Sequence, residues 1–168
     1  METALDFEEF ASTRARRLFQ VAYLMCGDWH QAQDLVQTTL AKMFSVWGRL
    51  RRGQDEPGLD AYARKVLLRY YLSQRRLRRS GEIVSADLPD SPEAPAGSEL
   101  RLTLAAALRL LPPRNRAVVV LRYLEDRSIE EVAELMEISQ GAVKSLNSRS
   151  LAKLREILGD DRELLFRP

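Results

Sequence analysis

The sequence predicts an all-α protein: two small helical domains joined by a flexible acidic linker. Three observations carry that expectation. Apolar residues recur at steps of three and four through the first half and again through the second. Between them, residues 80–98 read SGEIVSADLPDSPEAPAGS, with Glu82, Asp87, Asp90 and Glu93 and no basic residue. A stretch so rich in Pro, Gly, Ser and Ala reads as a solvated tether. No strand signal interrupts either half, and 168 residues hold one ordinary domain or two small ones.

Composition narrows the class without choosing partners. A hydrophobic content of 45% excludes wholesale disorder, and a net charge of +2 hides abundant charge of both signs that must be read locally. The one cysteine, Cys26, has no internal disulfide partner and lies in the apolar run VAYLMC, where it reads as a small buried hydrophobe. No apolar run approaches the roughly 18 residues that span a bilayer. The N-terminus METALDFEEF is acidic, unlike a basic leader. These features predict a soluble, cytoplasmic protein without membrane insertion.

The first domain, residues 5–79, opens with a helix from about Leu5 to Cys26; Gly27 and Asp28 then stop it and start the next. Asp28 and Gln31 resemble a capping box. Behind them Ala32, Leu35, Val36, Thr39, Leu40, Met43, Phe44 and Trp47 are expected to line one buried face of a long helix. RRGQDEPG breaks it, and a third helix is expected over Leu59–Arg79, completing a helical bundle. Residues 99–158 form the second domain. There Pro112 and Pro113 end one helix and begin another, and residues 159–168 are expected to be a short tail without an added ligand-binding domain.

Within the second domain SIEEVAELMEISQGAVKSL, Ser128–Leu146, meets the steric demands of a helix-turn-helix. Ser128 and Glu131 form a capping box; Val132 and Met136 face inward, and Ala133 is small where the second helix crosses. Ile138 plugs the turn, and Val143 and Leu146 bury the second helix. Glu137 stands where such turns favour Gly at positive φ, at a cost of up to about 1 kcal/mol. Ser139 caps the second helix, leaving Gln140, Lys144, Ser145, Ser148 and Arg149 facing outward. Gln pairs bidentately with adenine, and Lys, Arg and Ser reach bases or phosphates. A plain packing hairpin shares the spacing; the polar outer face weighs for DNA.

The third helix interleaves Tyr62, Tyr70 and Tyr71 with Arg64, Lys65, Arg69, Arg75, Arg76, Arg78 and Arg79. Arginine neutralises phosphates, and tyrosine rings pack against unstacked bases. The competing reading puts Ala63, Val66, Leu67 and some of the tyrosines in the core and the arginines on a solvated face. His30, the sole histidine, sits beside the Asp28 cap and reads as a surface group. With no metal-ligand cluster, phosphate loop or nucleophile with its base, no enzymatic activity, metal or cofactor is expected.

GDWHQAQDLVQTTLAKMFSVW, YARKVLLRYYLSQRRLRR and LPPRNRAVVVLRYLEDRSIEEVAELMEISQGAVKSL together resemble regions 2 and 4 of bacterial σ factors of the extracytoplasmic-function type, in the σ70 family. The likeness covers nearly the whole chain, excluding the linker and the tail after Gly159. It implies a subunit of RNA polymerase that directs promoter-specific transcription initiation. The implied partners are core polymerase, through its β′ clamp helices and β flap region, promoter DNA, and an anti-σ factor.

Asp34, Leu35, Val36 and Gln37 match the segment that docks on the clamp helices; periodicity buries Leu35 and Val36, leaving Asp34, Gln37, Thr38 and Ala41 for contact. The resemblance makes the third helix reader and melter of the minus-10 element, through Arg64, Lys65, Arg69, Tyr70, Tyr71, Gln74, Arg75 and Arg76. It makes the helix from Gln140 the minus-35 reader, and it threads the linker through polymerase. Arg69 replaces a frequent Asn, Gln74 a frequent Trp, and Leu146 a commonly polar residue, so sequence preference is expected to be unusual. An autonomous helix-turn-helix regulator is the alternative, though it leaves the docking segment idle.

Overall fold

Eight α-helices and one π-helical segment, with no strand, make up residues 2–79 and 99–159, which are those the computed structural model describes. The acidic stretch 80–98 and the tail beyond Gly159 lie outside the described residues. Helix α1 spans Glu2–Cys26. It stops at Gly27, whose φ of 70° closes the last turn as its N–H reaches the Tyr23 carbonyl at 2.7 Å. Asp28 restarts the chain: its carboxylate accepts from the Gln31 N–H at 2.8 Å and caps α2, Trp29–Ser45.

Helix α2 is shorter than its periodicity predicts. Val46 leaves helical geometry at φ −120° and ψ 12°, and α3, Trp47–Gly53, starts in a new direction. Trp47 is buried as expected, but Phe44, within α2, lies beyond the edge of the buried stripe and points outward, 57% exposed. Helix α4 covers Glu56–Arg79, starting one turn earlier than expected because Pro57 suits a first turn and Asp55 accepts from the Gly58 N–H at 2.9 Å. Leu18, Met25, Leu35, Met43, Leu67 and Tyr71 are fully buried where α1, α2 and α4 meet.

In the second lobe α5 is Glu99–Arg109 and α6 is Pro113–Val119, with Pro113 in the first turn where its missing N–H costs nothing. The chain then widens into a π segment, Val120–Leu124, whose signature is the Glu125 N–H bonded to the Val120 carbonyl at 3.0 Å. Helices α7, Ile129–Met136, and α8, Gln140–Leu158, follow. Ser128 and Glu131 form the full reciprocal capping box. The Arg127 guanidinium and the Ser128 backbone hold the Glu131 carboxyl below its usual value.

Glu137 ends α7 in the left-handed region, at φ 57° and ψ 43°. Because its side chain is exposed, the strain has no packing return. Glu137→Gly is therefore expected to stabilise the protein by up to about 1 kcal/mol, part of the relief being offset by glycine's freer unfolded chain. A thermal melt checks this: the midpoint should rise by up to about 2–4 °C, and a fall would show that the Glu137 side chain has a stabilising role.

The two domains pack on one another. Helix α1 lies against α5, α6 and the π segment, and α4 against α6 and α7, so both apolar interiors run into one core.

Candidate nucleic-acid and polymerase interfaces

On α8, Ser139 caps the helix by accepting from the Ala142 N–H at 3.1 Å, and Val143, Ser150 and Leu154 point inward. The 3.6-residue turn then puts Lys144, Ser145, Ser148 and Arg149 away from the core, with Gln140 at the exposed N-terminal edge, and all five are exposed. Arg149 donates to the Ser145 hydroxyl at 2.9 Å, which lays the guanidinium along the helix face. Tyr123, 46% exposed, extends this face: its hydroxyl accepts from the Asn147 amide at 3.0 Å. The rigid hairpin thus presents amide, ammonium, hydroxyl and guanidinium groups on one convex surface, the donor set that reads base edges and phosphates.

The eight candidates on α4 divide. Lys65, Arg69 and Arg76 are exposed, and Tyr70, Gln74 and Arg75 are half-buried, but Arg64 and Tyr71 are buried. The side chains of Arg78 and Arg79 lie outside the described residues. Arg64 bonds one oxygen of the Glu125 carboxylate at 2.6 Å, and Arg17 of α1 takes the other at 2.8 Å. The Tyr71 hydroxyl donates to the Pro113 carbonyl at 3.3 Å, and Arg75 lies over the Tyr71 ring while donating to the Cys26 carbonyl at 2.9 Å. Burial pushes the Tyr71 phenol up from its ordinary pKa, against the opposing pull of Arg116 and Arg75. The expected continuous basic and aromatic face is therefore an open strip of cations beside a seam that consumes two of its members.

Arg116, which the sequence analysis does not single out, is the centre of that seam. It is 5% exposed, and no carboxylate pairs with it among the described residues. Its guanidinium donates to the carbonyls of Leu108 at 2.7 Å, Arg109 at 3.1 Å and Leu111 at 3.0 Å, and also to that of Met25. These carbonyls end α5 and α1, where a helix leaves acceptors unfilled and its dipole favours a cation. Burial lowers the Arg116 pKa, but arginine keeps its proton in proteins. One side chain thereby joins the C-terminal ends of helices from both lobes. The seam is less complete around Arg64, whose Nη1 is buried without a partner.

On α2, Asp34 and Gln37 are exposed and Thr38 is half-buried, while Leu35 and Val36 point into the core. Ala41 and Phe44 continue the exposed strip at helical spacing. Phe44 packs only one side, its ring centroid 5.1 Å from that of Phe7. The four-residue step from Leu40 placed Phe44 in the core; the structure makes it the most apolar group on the strip. Among the described residues no group of acidic, histidine or cysteine side chains could hold a metal, and no helix is long and apolar enough to cross a membrane.

Comparison with known proteins matches both halves of the chain to one family. Residues 10–81 match the family described as Sigma-70 region 2, and residues 107–156 match Sigma-70, region 4. Over 160 residues the chain is 38% identical to the RNA polymerase sigma-E factor of Streptomyces coelicolor, covering 94% of this chain and 89% of that one. It is 30% identical to the ECF RNA polymerase sigma factor SigE of Mycolicibacterium smegmatis, covering 91% of this chain and 62% of the relative. The fold is similar to that of the sigma factor RpoE solved with the anti-sigma factor NepR from Bartonella quintana, with a TM-score of 0.71 and 24% identity over 93% of this chain and 98% of that one. It is also similar to CnrH solved with the cytosolic domain of CnrY, at a TM-score of 0.65 and 21% identity over 92% and 88% of the two chains.

Proposed function

The chain belongs to the σ70 family of bacterial RNA polymerase σ factors, in its extracytoplasmic-function group, and directs promoter-specific transcription initiation with core polymerase; from that premise we propose which surfaces do the work. Asp34, Gln37 and Thr38, with Ala41 and Phe44, dock on the β′ clamp helices. The open strip of α4, Lys65, Arg69, Tyr70, Gln74, Arg75 and Arg76, meets the minus-10 element. Arg64 and Tyr71 join it only once the seam to the second lobe has parted. The outer face of α8, Gln140, Lys144, Ser145, Ser148 and Arg149, meets the minus-35 element, with the second lobe seated at the β flap.

The observation that carries this division is the exposed α2 strip. A phenylalanine more than half exposed beside Asp34 and Gln37 fits the aromatic anchor amid polar contacts that a protein interface uses. Phe44→Ala combined with Asp34→Ala is expected to weaken binding to core polymerase about 10-fold or more, the loss of an interfacial hot spot. Its melting should be nearly unchanged, because both side chains are exposed. Titration of fluorescently labelled chain with core polymerase checks it, and an unchanged affinity would remove α2 from the docking surface.

The family comprises initiation factors rather than catalysts, and we assign this chain no reaction of its own. Its place of action is the cytoplasm, where polymerase and promoter are. Two fold neighbours were solved with anti-σ partners, and the same two-lobed fold here offers such a partner the α2 and α4 faces; it would silence the chain by covering them. Pull-down of the chain from its own cells, followed by displacement with core polymerase, tests this.

A further inference from the structure

Between the lobes lies an open groove of about 900 Å³, with α4 as one wall and the turn into α6 with the helix-turn-helix as the other. Lys65, Arg69, Arg75, Arg76 and Arg114 line it, and Glu137 is the one carboxylate among the described lining residues. Leu72, Met136 and Leu146 add apolar surface. Arg75 is already engaged with the Cys26 carbonyl. Lys65, Arg69, Arg76 and Arg114 pair with no carboxylate among the described residues. Like charges converging on one cleft repel one another and favour an anionic occupant.

We propose that this groove is the docking site of the chain's own acidic segment, residues 81–98. Charge selects it: Glu82, Asp87, Asp90 and Glu93 are unrelieved by any basic residue, and Ile83, Val84 and Leu88 supply apolar groups for the groove's apolar lining. Attachment selects it as well. The segment follows α4 only a few residues after Arg76, and it rejoins the chain at α5, which leads directly to Pro112 and Arg114 on the opposite wall. One end is thus tethered beside the groove at α4, and the other is linked to its opposite wall through α5. A tethered segment acts at an effective concentration in the millimolar range, so weak contacts suffice. The volume suits a short peptide stretch rather than a folded partner. Because all these cations except Arg114 belong to the open strip of α4, the docked segment and a nucleic-acid backbone would compete for them.

The test uses the full chain without DNA or polymerase, so its outcome is independent of the functional assignment. A nitroxide at Asp87→Cys, in a Cys26→Ser background, should broaden the amide resonances of Leu72, Asn115 and Leu146 while sparing Gly48 on α3. The broadening should collapse in 1 M salt, where the screening length falls to about 3 Å. It should also collapse when Glu82→Gln, Asp90→Asn and Glu93→Gln are added. Equal broadening of groove and α3 amides, or broadening indifferent to salt, would overturn the proposal. So would broadening that grows with protein concentration, which would make a second copy the occupant. Should Cys26→Ser fail to fold, the wild-type chain can be compared with one carrying Glu82→Gln, Asp87→Asn, Asp90→Asn and Glu93→Gln. Amide shifts confined to the groove support docking, and superimposable spectra refute it.

Discussion

Arg116→Met should destabilise the protein by about 3–5 kcal/mol, the cost of leaving two or more buried carbonyl acceptors unpaired. The substitution keeps apolar bulk, so the loss is chiefly one of hydrogen bonding. It strips donors from the carbonyls of Met25, Leu108, Arg109 and Leu111, and each buried acceptor left unpaired costs about 1–3 kcal/mol. The sum is capped because those carbonyls end helices close to the seam, where water can reach some of them once it loosens. Arg116→Lys should recover only a minor part. A single ammonium is a point donor and cannot span four acceptors that a planar guanidinium meets in a fixed fork. Urea unfolding measures both variants; a loss below about 0.5 kcal/mol, the size of an ordinary surface change, would mean that the seam does not depend on this residue.

Gln140→Ala combined with Lys144→Ala should lower transcription from a promoter with an intact minus-35 element by about 10- to 100-fold. Each good base contact is worth roughly 1–3 kcal/mol, and a phosphate contact adds a salt-dependent share. Both side chains are exposed and leave the fully buried Val143 untouched, so the hairpin should fold and polymerase binding should persist. The deficit should shrink on a template whose minus-35 element is scrambled, because there the wild type also lacks the contact. Equal losses on both templates would mean that this face does not read sequence.

What the sequence disclosed and what it withheld divide along the range of the interactions. Asp28, Ser128 and Ser139 were legible as caps because a cap is satisfied within three residues, and each accepts the expected backbone N–H. Glu137 was legible because the turn's demand for positive φ is local. The outward face of α8 followed from helical period alone. Phe44 was misplaced because steps of three and four, extended from Leu40, drift off the buried stripe of Ala32, Leu35, Thr39 and Met43: Phe44 lies about 100° round the helix from Met43, on the side facing away from the core.

Arg116 left no trace in the sequence. In PPRNRAVVV it resembles any surface arginine, and its acceptors come from Met25, 91 positions away, and from the end of α5. Arg64 and Tyr71 were similarly unreadable as seam residues, since their partners Glu125 and Pro113 lie 61 and 42 positions away. The two-domain plan was plain from the composition of residues 80–98; that the domains press together, and take side chains from α4 in doing so, required the fold.

The account's central claim is that one chain lends polymerase two separate promoter contacts. Run-off transcription by purified core polymerase with and without the chain, with start sites mapped on fragments from its own genome, tests it most directly. The expected result is initiation only when the chain is present, at starts preceded by two shared motifs at constant spacing. Failure to bind core polymerase, together with tight sequence-specific DNA binding by the chain alone, would contradict it.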